Sequence, residues 1–224
     1  MANDQFADDA RESVTEFVTR SLRQRIIDGA LEPGRPLRQE ALARELGVSR
    51  LPIREALRQL ESEGLVAFRP RSGAKVAVLD FEEYNEIYKV RERLEPLAIS
   101  ESMAHLTVEQ REAIEVAAAE VEAHAGDPAS WLEADRRFHL ACYAGVPTPR
   151  LLQMIVEFWN STHRYRRILL TTFAPKDFEV AHSEHRLIAN AISEGNARAA
   201  EELIRVHIER SRRRLNRHRD LFDQ

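Results

Sequence analysis

The chain has 224 residues, of which 43% are hydrophobic and 31% charged, which is typical of a globular protein and too apolar for a disordered one. Its longest unbroken apolar run, from Leu140 to Ala144, is far shorter than the roughly 20 residues of a membrane-spanning helix, and no positively charged start leads into a secretory apolar stretch. The single cysteine excludes an internal disulfide framework and a cysteine-based zinc finger. A cytoplasmic protein that does not bind membranes is therefore expected.

The first elements predicted along the chain are three helices. Apolar residues recur at four-residue steps in segment 11–29, which is typical of an amphipathic helix. A short helix over 38–46 follows a Pro-Gly turn. The next helix runs over 49–63, with Ser49 suited to its N-cap and Pro52 in its first turn. Short helices separated by such breaks are typical of a helix-turn-helix.

From Leu65 to Leu79 the hydrophobic period changes from that of a helix to that of a strand. Valine and phenylalanine alternate with other residues on both sides of a basic tip at 69–73, which predicts a β-hairpin. Three helices followed by a hairpin form the winged helix-turn-helix arrangement. We therefore expect residues 1–78 to form a DNA-binding domain of this type.

After Asp80 the pattern is that of long amphipathic helices joined by short loops. The predicted helices span 81–104, 108–125, 128–144, 149–171, 176–194 and 196–219. Short loops favour antiparallel neighbours, so residues 79–224 are expected to form an all-α antiparallel bundle of six or seven helices. The expected fold is therefore mainly α, with the small hairpin as its β-structure.

Charge is distributed unevenly between the two expected domains. Residues 11–78 contain 13 basic and 9 acidic side chains, whereas residues 79–224 contain 20 and 25. A basic small segment joined to a larger acidic one indicates that the first is the part that meets a polyanion. Ordinary scatter of charge is the alternative interpretation.

The arginines of the third predicted helix form one stripe. Arg50, Arg54 and Arg58 are four residues apart and begin at the helix N-terminus, where a recognition helix meets base edges. On the hairpin, Arg71 is suited to contact phosphate or the minor groove, and Gly73 allows close approach of the backbone. The alternative is a solvated basic face, but the coincidence with a helix-turn-helix pattern and a basic hairpin favours DNA binding.

Four motifs in this segment match a known pattern. They are Leu37-Arg-Gln-Glu-Ala-Leu-Ala43, Leu46-Gly-Val-Ser-Arg50, Pro52-Ile-Arg-Glu-Ala-Leu57 and Glu63-Gly-Leu-Val66. Residues 12–78 thereby resemble the N-terminal domain of GntR-family transcriptional regulators. The resemblance implies that Ser49, Arg50, Arg54 and Gly73 contact operator DNA. Some FadR-like members carry an arginine on the second helix where this chain has Glu40, so a DNA contact at that position is not expected.

Acidic and histidine side chains lie on the apolar faces of several predicted bundle helices. Asp135 and His139 are four residues apart on one face, and His185 and His207 each share a stripe with apolar residues of a different helix. An aspartate and a histidine at i, i+4 with histidines from two other helices can form a four-ligand metal site. The alternative is a set of core histidines held by hydrogen bonds, and periodicity leaves both interpretations open. His182 lies off its stripe and is not part of the predicted set.

The second half of the chain also carries family motifs. They are Tyr88-Lys-Val-Arg91, Leu94-Glu95, Asp135-Arg-Arg-Phe-His139, His185-Arg-Leu-Ile188 and His207-Ile208. They resemble the FCD domain of the FadR subgroup, which implies a divalent ion held by Asp135, His139, His185 and His207. Zinc is the first expectation for these donors, with Ni, Co, Fe or Mn as alternatives. The resemblance also implies that Arg91 binds a carboxylate effector, and its alternative is an ion pair with Glu95. Arg164 and Arg166 are further candidates.

The expected function is that of a transcriptional repressor and not of an enzyme. A homodimer would present two recognition helices to a pseudo-palindromic operator. A small organic acid bound beside the metal would change operator affinity by a coupling free energy on the order of 1–3 kcal/mol. One alternative is a metalloenzyme with an accessory DNA-binding domain, for which no general base stands out. Another is an architectural DNA binder with a structural ion.

Overall fold

The chain divides into two compact units. The computed structural model describes residues 13–69 and 73–222. Three side chains within these ranges are not described, those of Arg164, Asp220 and Leu221. The boundary along the chain lies between Val78 and Leu79, and each unit has a hydrophobic core of its own. Among the helices of the described ranges, none is long and apolar enough to cross a lipid bilayer.

The first unit consists of three helices and a two-stranded antiparallel sheet. Its elements are α1 (Val14–Ile27), α2 (Gln39–Leu46), α3 (Arg50–Ser62), β1 (Val66–Arg69) and β2 (Gly73–Val76). A reciprocal capping box between Ser13 and Glu16 begins α1, and Gly47 ends α2 in the left-handed conformation, at φ +67°. The α1 and α3 helices pack against each other. The predicted order of helices and hairpin is confirmed.

The hairpin is held to the first unit by its apolar face. Val66 lies opposite Val76 in the antiparallel register, and both side chains are buried. Arg69 lies opposite Gly73. The segment before α2 joins the outer strand, because Leu37 N–H donates to the carbonyl of Ala74. The predicted contact residue Arg71 lies outside the described residues.

The second unit is the predicted helical bundle. Its elements are α4 (Phe81–Met103), α5 (Val108–Ala123), α6 (Pro128–Cys142), α7 (Pro149–Leu170), α8 (Pro175–Ser193), α9 (Ala197–Leu215) and a short 3₁₀-helix, α10 (Arg219–Phe222). Side chains of Asp80, Thr107, Asp127 and Asn196 accept backbone N–H groups at four of the helix N-termini. Several helices end earlier than predicted. The largest difference is at α9, which stops at Leu215 because the chain turns so that Phe222 can stack on Tyr165, with ring centroids 4.6 Å apart.

Helix contacts place three helices around one point of the core. The α5 helix packs against both α6 and α8, while α9 packs against α4 and α8. Phe138 of α6, Ile188 of α8 and Ile204 of α9 are fully buried and belong to one core cluster. The inward faces of α6, α8 and α9 therefore meet in the middle of the bundle.

Candidate functional site

The arginine stripe of α3 lies on the side of the helix opposite the core. The buried side chains of this helix are Ile53, Ala56, Leu57 and Leu60, none of which has exposed surface. Arg50, Arg54 and Arg58 are exposed. Because positions four apart fall on one helix face, these three guanidinium groups form one surface that begins at the N-terminus of α3.

The N-terminus of α3 lacks a side-chain capping hydrogen bond. Ser49 occupies the predicted N-cap position with extended backbone, but its hydroxyl makes no capping hydrogen bond. A capping side chain accepts from the N–H of the second or third helical residue, and the third residue here is Pro52, which has no N–H. The Ser49 hydroxyl and the first N–H groups of α3 are therefore available to an anion.

Two arginines of the stripe have acidic neighbours. Arg50 Nη1 lies 3.1 Å from Glu40 Oε1, and Arg58 Nη1 donates to Glu61 Oε2 at 2.9 Å. For Arg54, the described ranges contain no ion-pair or hydrogen-bond partner, so its guanidinium is free to make new contacts. Glu40 therefore has a role that the sequence did not indicate, since it holds the first arginine of the stripe.

The β1–β2 hairpin, which we call the wing, lies beside α3. The Arg58 guanidinium lies over the Phe68 ring of β1, 4.3 Å from its centroid, and so joins α3 to the hairpin. Gly73 begins β2 at φ +71°, and a Cβ there would meet no other atom within 4 Å. A side chain at this position would be strained by the backbone conformation and would cover an open edge of the wing.

In the second unit, four buried side chains converge from three helices. Asp135 and His139 belong to α6, His185 to α8 and His207 to α9. One donor atom from each lies within 4.8 Å of the others. With bonds of about 2.0–2.2 Å, all four can reach one ion after small side-chain movements. The structure thus brings together the four residues selected from the sequence.

Several atoms of this cluster have no hydrogen-bond partner in the protein. Among them are Asp135 Oδ1, His139 Nε2 and both ring nitrogens of His185. Asp135 Oδ1 and His185 Nε2 are only 3.2 Å apart, yet their alignment does not make a hydrogen bond. Buried polar atoms are nearly always satisfied. These nitrogen and oxygen atoms converge on one point and have no hydrogen-bond partner, so they are suited to be the ligand atoms of a divalent cation.

Tyr143 and Glu95 determine which nitrogen of His139 carries a proton. Tyr143 donates its hydroxyl to Glu95 Oε2, so the hydroxyl oxygen accepts from His139 Nδ1, at 3.3 Å. Burial raises the pKa of Tyr143 well above its usual range and lowers the pKa of His139 well below its own, so the phenol stays protonated and the imidazole stays neutral. His139 Nε2, 3.8 Å from Asp135 Oδ1, is left with its lone pair.

Glu184 has the corresponding role at His207. Its Oε2 accepts from His207 Nδ1 at 2.6 Å, and its Oε1 accepts from Arg210 Nε at 2.7 Å. Burial alone would raise the pKa of Glu184, but the hydrogen bonds from His207 and Arg210 outweigh it and lower that pKa to about 2. Because an ionised carboxylate only accepts, His207 Nδ1 carries a proton and Nε2 is the nitrogen that an ion can use.

Asp135 is ionised although it is fully buried. Its Oδ2 accepts from Arg166, whose side chain is only 11% exposed. Burial pushes the pKa of Asp135 upward, but Arg166 and the neighbouring histidines hold it well below its usual range. Burial also lowers the pKa of His185 to about 4. At neutral pH Asp135 is thus a carboxylate and His139 and His185 are neutral imidazoles, the protonation states that metal binding requires.

A small cavity lies beside the cluster. Its volume is about 30 Å³, and its lining includes Asp135, His207, Tyr88 and the arginines Arg166, Arg210 and Arg214. A water molecule needs roughly 10–15 Å³ of such volume, so the cavity has room for one or two waters. Three arginines in the wall make it suited to an anion.

Arg91 is buried but is not part of the lining of this cavity. It forms an ion pair with Glu95, which was the alternative to an effector contact in the interpretation of the sequence. Its guanidinium lies 4.5 Å from the Trp159 ring centroid, and Arg166 lies 4.1 Å from the same centroid. In both arginines Nη1 has no hydrogen-bond partner. Of the effector-binding arginines predicted from the sequence, Arg166 thus lines the cavity and Arg91 does not, while the side chain of Arg164 is outside the described set.

Sequence reasoning missed the residues that orient the histidines. Tyr143 stands four residues after His139, a spacing that signals contact on a helix, whereas Glu184 meets His207 only through the packing of α8 on α9. His182 accepts from Trp131 Nε1 at 2.9 Å and does not belong to the four-residue cluster.

Comparisons with known proteins agree with both units. Residues 14–76 match the family described as bacterial regulatory proteins, gntR family, and residues 86–210 match the FCD domain. The transcriptional regulator YdhC of Bacillus subtilis is 31% identical over 189 residues, which cover 83% of this chain and 84% of YdhC. The transcriptional repressor GlaR of Escherichia coli K12 is 30% identical over 198 residues, which cover 84% of this chain and 90% of GlaR.

A solved structure has the same fold. Escherichia coli McbR/YncC aligns with a TM-score of 0.76 at 24% identity, over 89% of this chain and 95% of that one. The relatives named here are transcriptional regulators rather than enzymes. The chain belongs to the GntR family of transcriptional regulators, with an N-terminal GntR helix-turn-helix domain and a C-terminal FCD domain.

Proposed function

We propose that this regulator is a homodimeric repressor whose operator affinity is controlled by a small carboxylate bound beside a divalent metal ion. The observation that carries the proposal is the buried group of unpaired nitrogen and oxygen donors within 4.8 Å of one another, next to a cavity walled by arginines. The relative GlaR is a repressor, which supports the same direction of control. Contact with chromosomal operator DNA implies a cytoplasmic location.

Operator recognition is assigned to the arginine stripe and the wing. Arg54 and Arg50 are suited to guanine edges, because a guanidinium can donate two hydrogen bonds to O6 and N7. Ser49 and the first N–H groups of α3 are suited to a phosphate, and Gly73 allows the wing to approach the backbone. Arg58 lies over the Phe68 ring of the hairpin, so its contribution is to phosphate contacts and to the position of the wing. Arg71 is proposed as a further wing contact.

The ion is assigned to Asp135, His139, His185 and His207. Nitrogen and oxygen donors of this kind suit zinc, and also Ni, Co, Fe or Mn. When bound, the ion would supply a Lewis-acidic position for an oxygen of the effector. Glu184 and the Tyr143–Glu95 pair would keep His207 and His139 turned with Nε2 toward it.

The effector class follows from the charges around the cavity. Arg166 has one donor occupied by Asp135 and a second buried donor, Nη1, without a partner. Arg210 and Arg214 line the same cavity. A divalent ion beside one carboxylate and three neutral imidazoles leaves net positive charge at this point. A carboxylate balances that charge and can accept two hydrogen bonds from a guanidinium.

Selection of genomic DNA fragments tests the proposal as a whole. The full chain, metal-loaded or treated with a chelator, is expected to enrich one pseudo-palindromic site. A set of small organic acids is then titrated against the recovered operator, and one class should change its affinity roughly 5–150-fold only in the metal-loaded sample. Enrichment of no site with any acid present would contradict operator binding. Unchanged affinity with every acid would instead indicate an architectural DNA binder.

Replacing Glu184 with glutamine tests the support given to His207. The amide is a weaker acceptor than the carboxylate, so the imidazole becomes a poorer ligand, and metal affinity is expected to fall roughly 10–100-fold. Competition with a chromogenic chelator measures this change. Glu194→Gln, at the exposed C-cap of the same helix, is the matched control and should bind metal like the native chain. Equal affinities for the two variants would show that Glu184 has no such role.

A further inference from the structure

A second and much larger cavity lies close to the small one. Its volume is about 560 Å³, within the range of roughly 300–1,000 Å³ that is usual for small-molecule sites. Leu170 and Phe173 line both cavities. The two spaces are therefore neighbours, with these side chains between them. We name them the inner cavity, beside Asp135 and His207, and the outer cavity.

The inner cavity cannot accept an organic acid without movement of its wall. At about 30 Å³ it holds one or two waters, which is less than a carboxylate with its carbon chain needs. Most of the wall is immobilised: Asp135 and Arg166 are paired with each other, and Tyr88 is buried. Phe173 is half-buried and lies in the short segment between α7 and α8. It belongs to no helix and forms no ion pair, and its ring is held by the Arg214 guanidinium, 4.0 Å from the ring centroid.

The outer cavity has the chemistry of a site for an apolar group. Phe173 and Phe178 form part of its aromatic lining, with ring centroids 5.2 Å apart, and Pro128 and Pro175 extend the apolar surface. Its acidic lining residues are Glu122 and Glu179, and no arginine or lysine lines it among the described residues. The inner cavity favours an anion, whereas the outer one disfavours it.

We infer that the effector is an amphipathic monocarboxylate, with its carboxylate in the inner cavity and an apolar tail that displaces Phe173 and occupies the outer cavity. This inference rests on the proposed function, in which a carboxylate effector binds in the inner cavity beside the metal ion. Displacement of one half-buried ring joins the two spaces without breaking an ion pair of the cluster. Glu122 and Glu179 select against a second carboxylate at the far end of the ligand.

A homologous series of acids tests the inference on the metal-loaded full chain. Calorimetric titration with acetate, butyrate, hexanoate and octanoate should give affinities that rise about fourfold for each methylene that becomes buried. Adipate, which has the length of hexanoate but two carboxylates, should bind more weakly than hexanoate. Equal affinities across the monocarboxylates would overturn the inference and leave the proposed function intact. Binding of no acid at any length would contradict both.

Two variants locate the tail. Gly126 lines the outer cavity, and a Cβ there meets no other atom within 4 Å, so the backbone has room for a side chain and Gly126→Trp is the variant chosen to fill the space. This variant should bind acetate normally and lose the gain from added methylenes. Phe173→Ala removes the partition and should increase the ratio of octanoate affinity to acetate affinity. An unaltered chain-length dependence in Gly126→Trp would mean that the tail lies elsewhere and would overturn the assignment.

Discussion

Replacing Asp135 with alanine is expected to lower the free energy of unfolding of the metal-free protein by about 3–5 kcal/mol. The reason is the charge that the substitution leaves behind. Arg166 is 11% exposed and is held by Asp135 Oδ2, and this carboxylate raises the pKa of Arg166 despite its burial. Without its partner, the guanidinium remains charged in a place that water hardly reaches. Urea denaturation in the presence of a chelator measures the loss.

The same substitution has a second effect that depends on metal. A ligand that binds only the folded state stabilises it by about 4 kcal/mol at a thousandfold excess over its dissociation constant, and the native chain should gain stability in this way. The Asp135→Ala variant should gain little. Arg137→Ala breaks an exposed pair with Glu120 and is the control, with an expected loss of about 0–1 kcal/mol. A metal-free Asp135→Ala chain as stable as this control would contradict the account of the buried pair.

Arg54→Ala is expected to weaken binding to the selected operator by a factor on the order of 10²–10⁴. Each arginine fork on a guanine discriminates by about 1–3 kcal/mol, and a dimer loses two of them. Binding to scrambled DNA of equal length should fall far less, because phosphate contacts carry non-specific affinity. Fluorescence anisotropy at one fixed salt concentration compares the two DNAs. Arg137→Ala, an exposed arginine of the second unit, should leave both affinities unchanged.

A variant of Glu40 gives the opposite change on the same surface. Glu40→Gln removes the carboxylate that holds Arg50 in the free protein and also removes a negative charge near the predicted DNA surface. Operator affinity should therefore rise by roughly threefold to tenfold at low salt, with the gain reduced as salt increases. If Arg54→Ala retained specific binding while Glu40→Gln changed nothing, α3 would not be the recognition helix.

The sequence predicted the elements that depend on local pattern. Helix α3 and the hairpin followed from hydrophobic period and from breaks at glycine and proline. The four cluster residues followed because each lies on an apolar stripe of its own helix, and a bundle turns such stripes inward. The i, i+4 spacing of Arg91 and Glu95 also indicated their ion pair, although it did not distinguish that pair from an effector contact made by Arg91.

Contacts between helices were beyond that kind of reasoning. Glu184 stands next to His185 in the chain but bonds to His207 of another helix, and Arg166 meets Asp135 across α7 and α6. Such pairs depend on the rotation of one helix against its neighbour, for which a single sequence has no signal. The missing cap at Ser49 differs from these pairs, because the sequence itself indicates it. Pro52 is the third residue of α3 and has no N–H to donate to the Ser49 hydroxyl.

The two tryptophans of the chain give the protein its own optical reporters. Trp159 lies 4.8 Å from His139 between ring centroids, and Trp131 contacts the rings of both His185 and Phe173. An open-shell ion such as Co²⁺ at the cluster would quench the fluorescence of both indoles. Displacement of Phe173 would change the surroundings of Trp131 alone. Occupancy of the metal and of the acid can thus be followed as separate signals in the unlabelled protein, while it is bound to DNA.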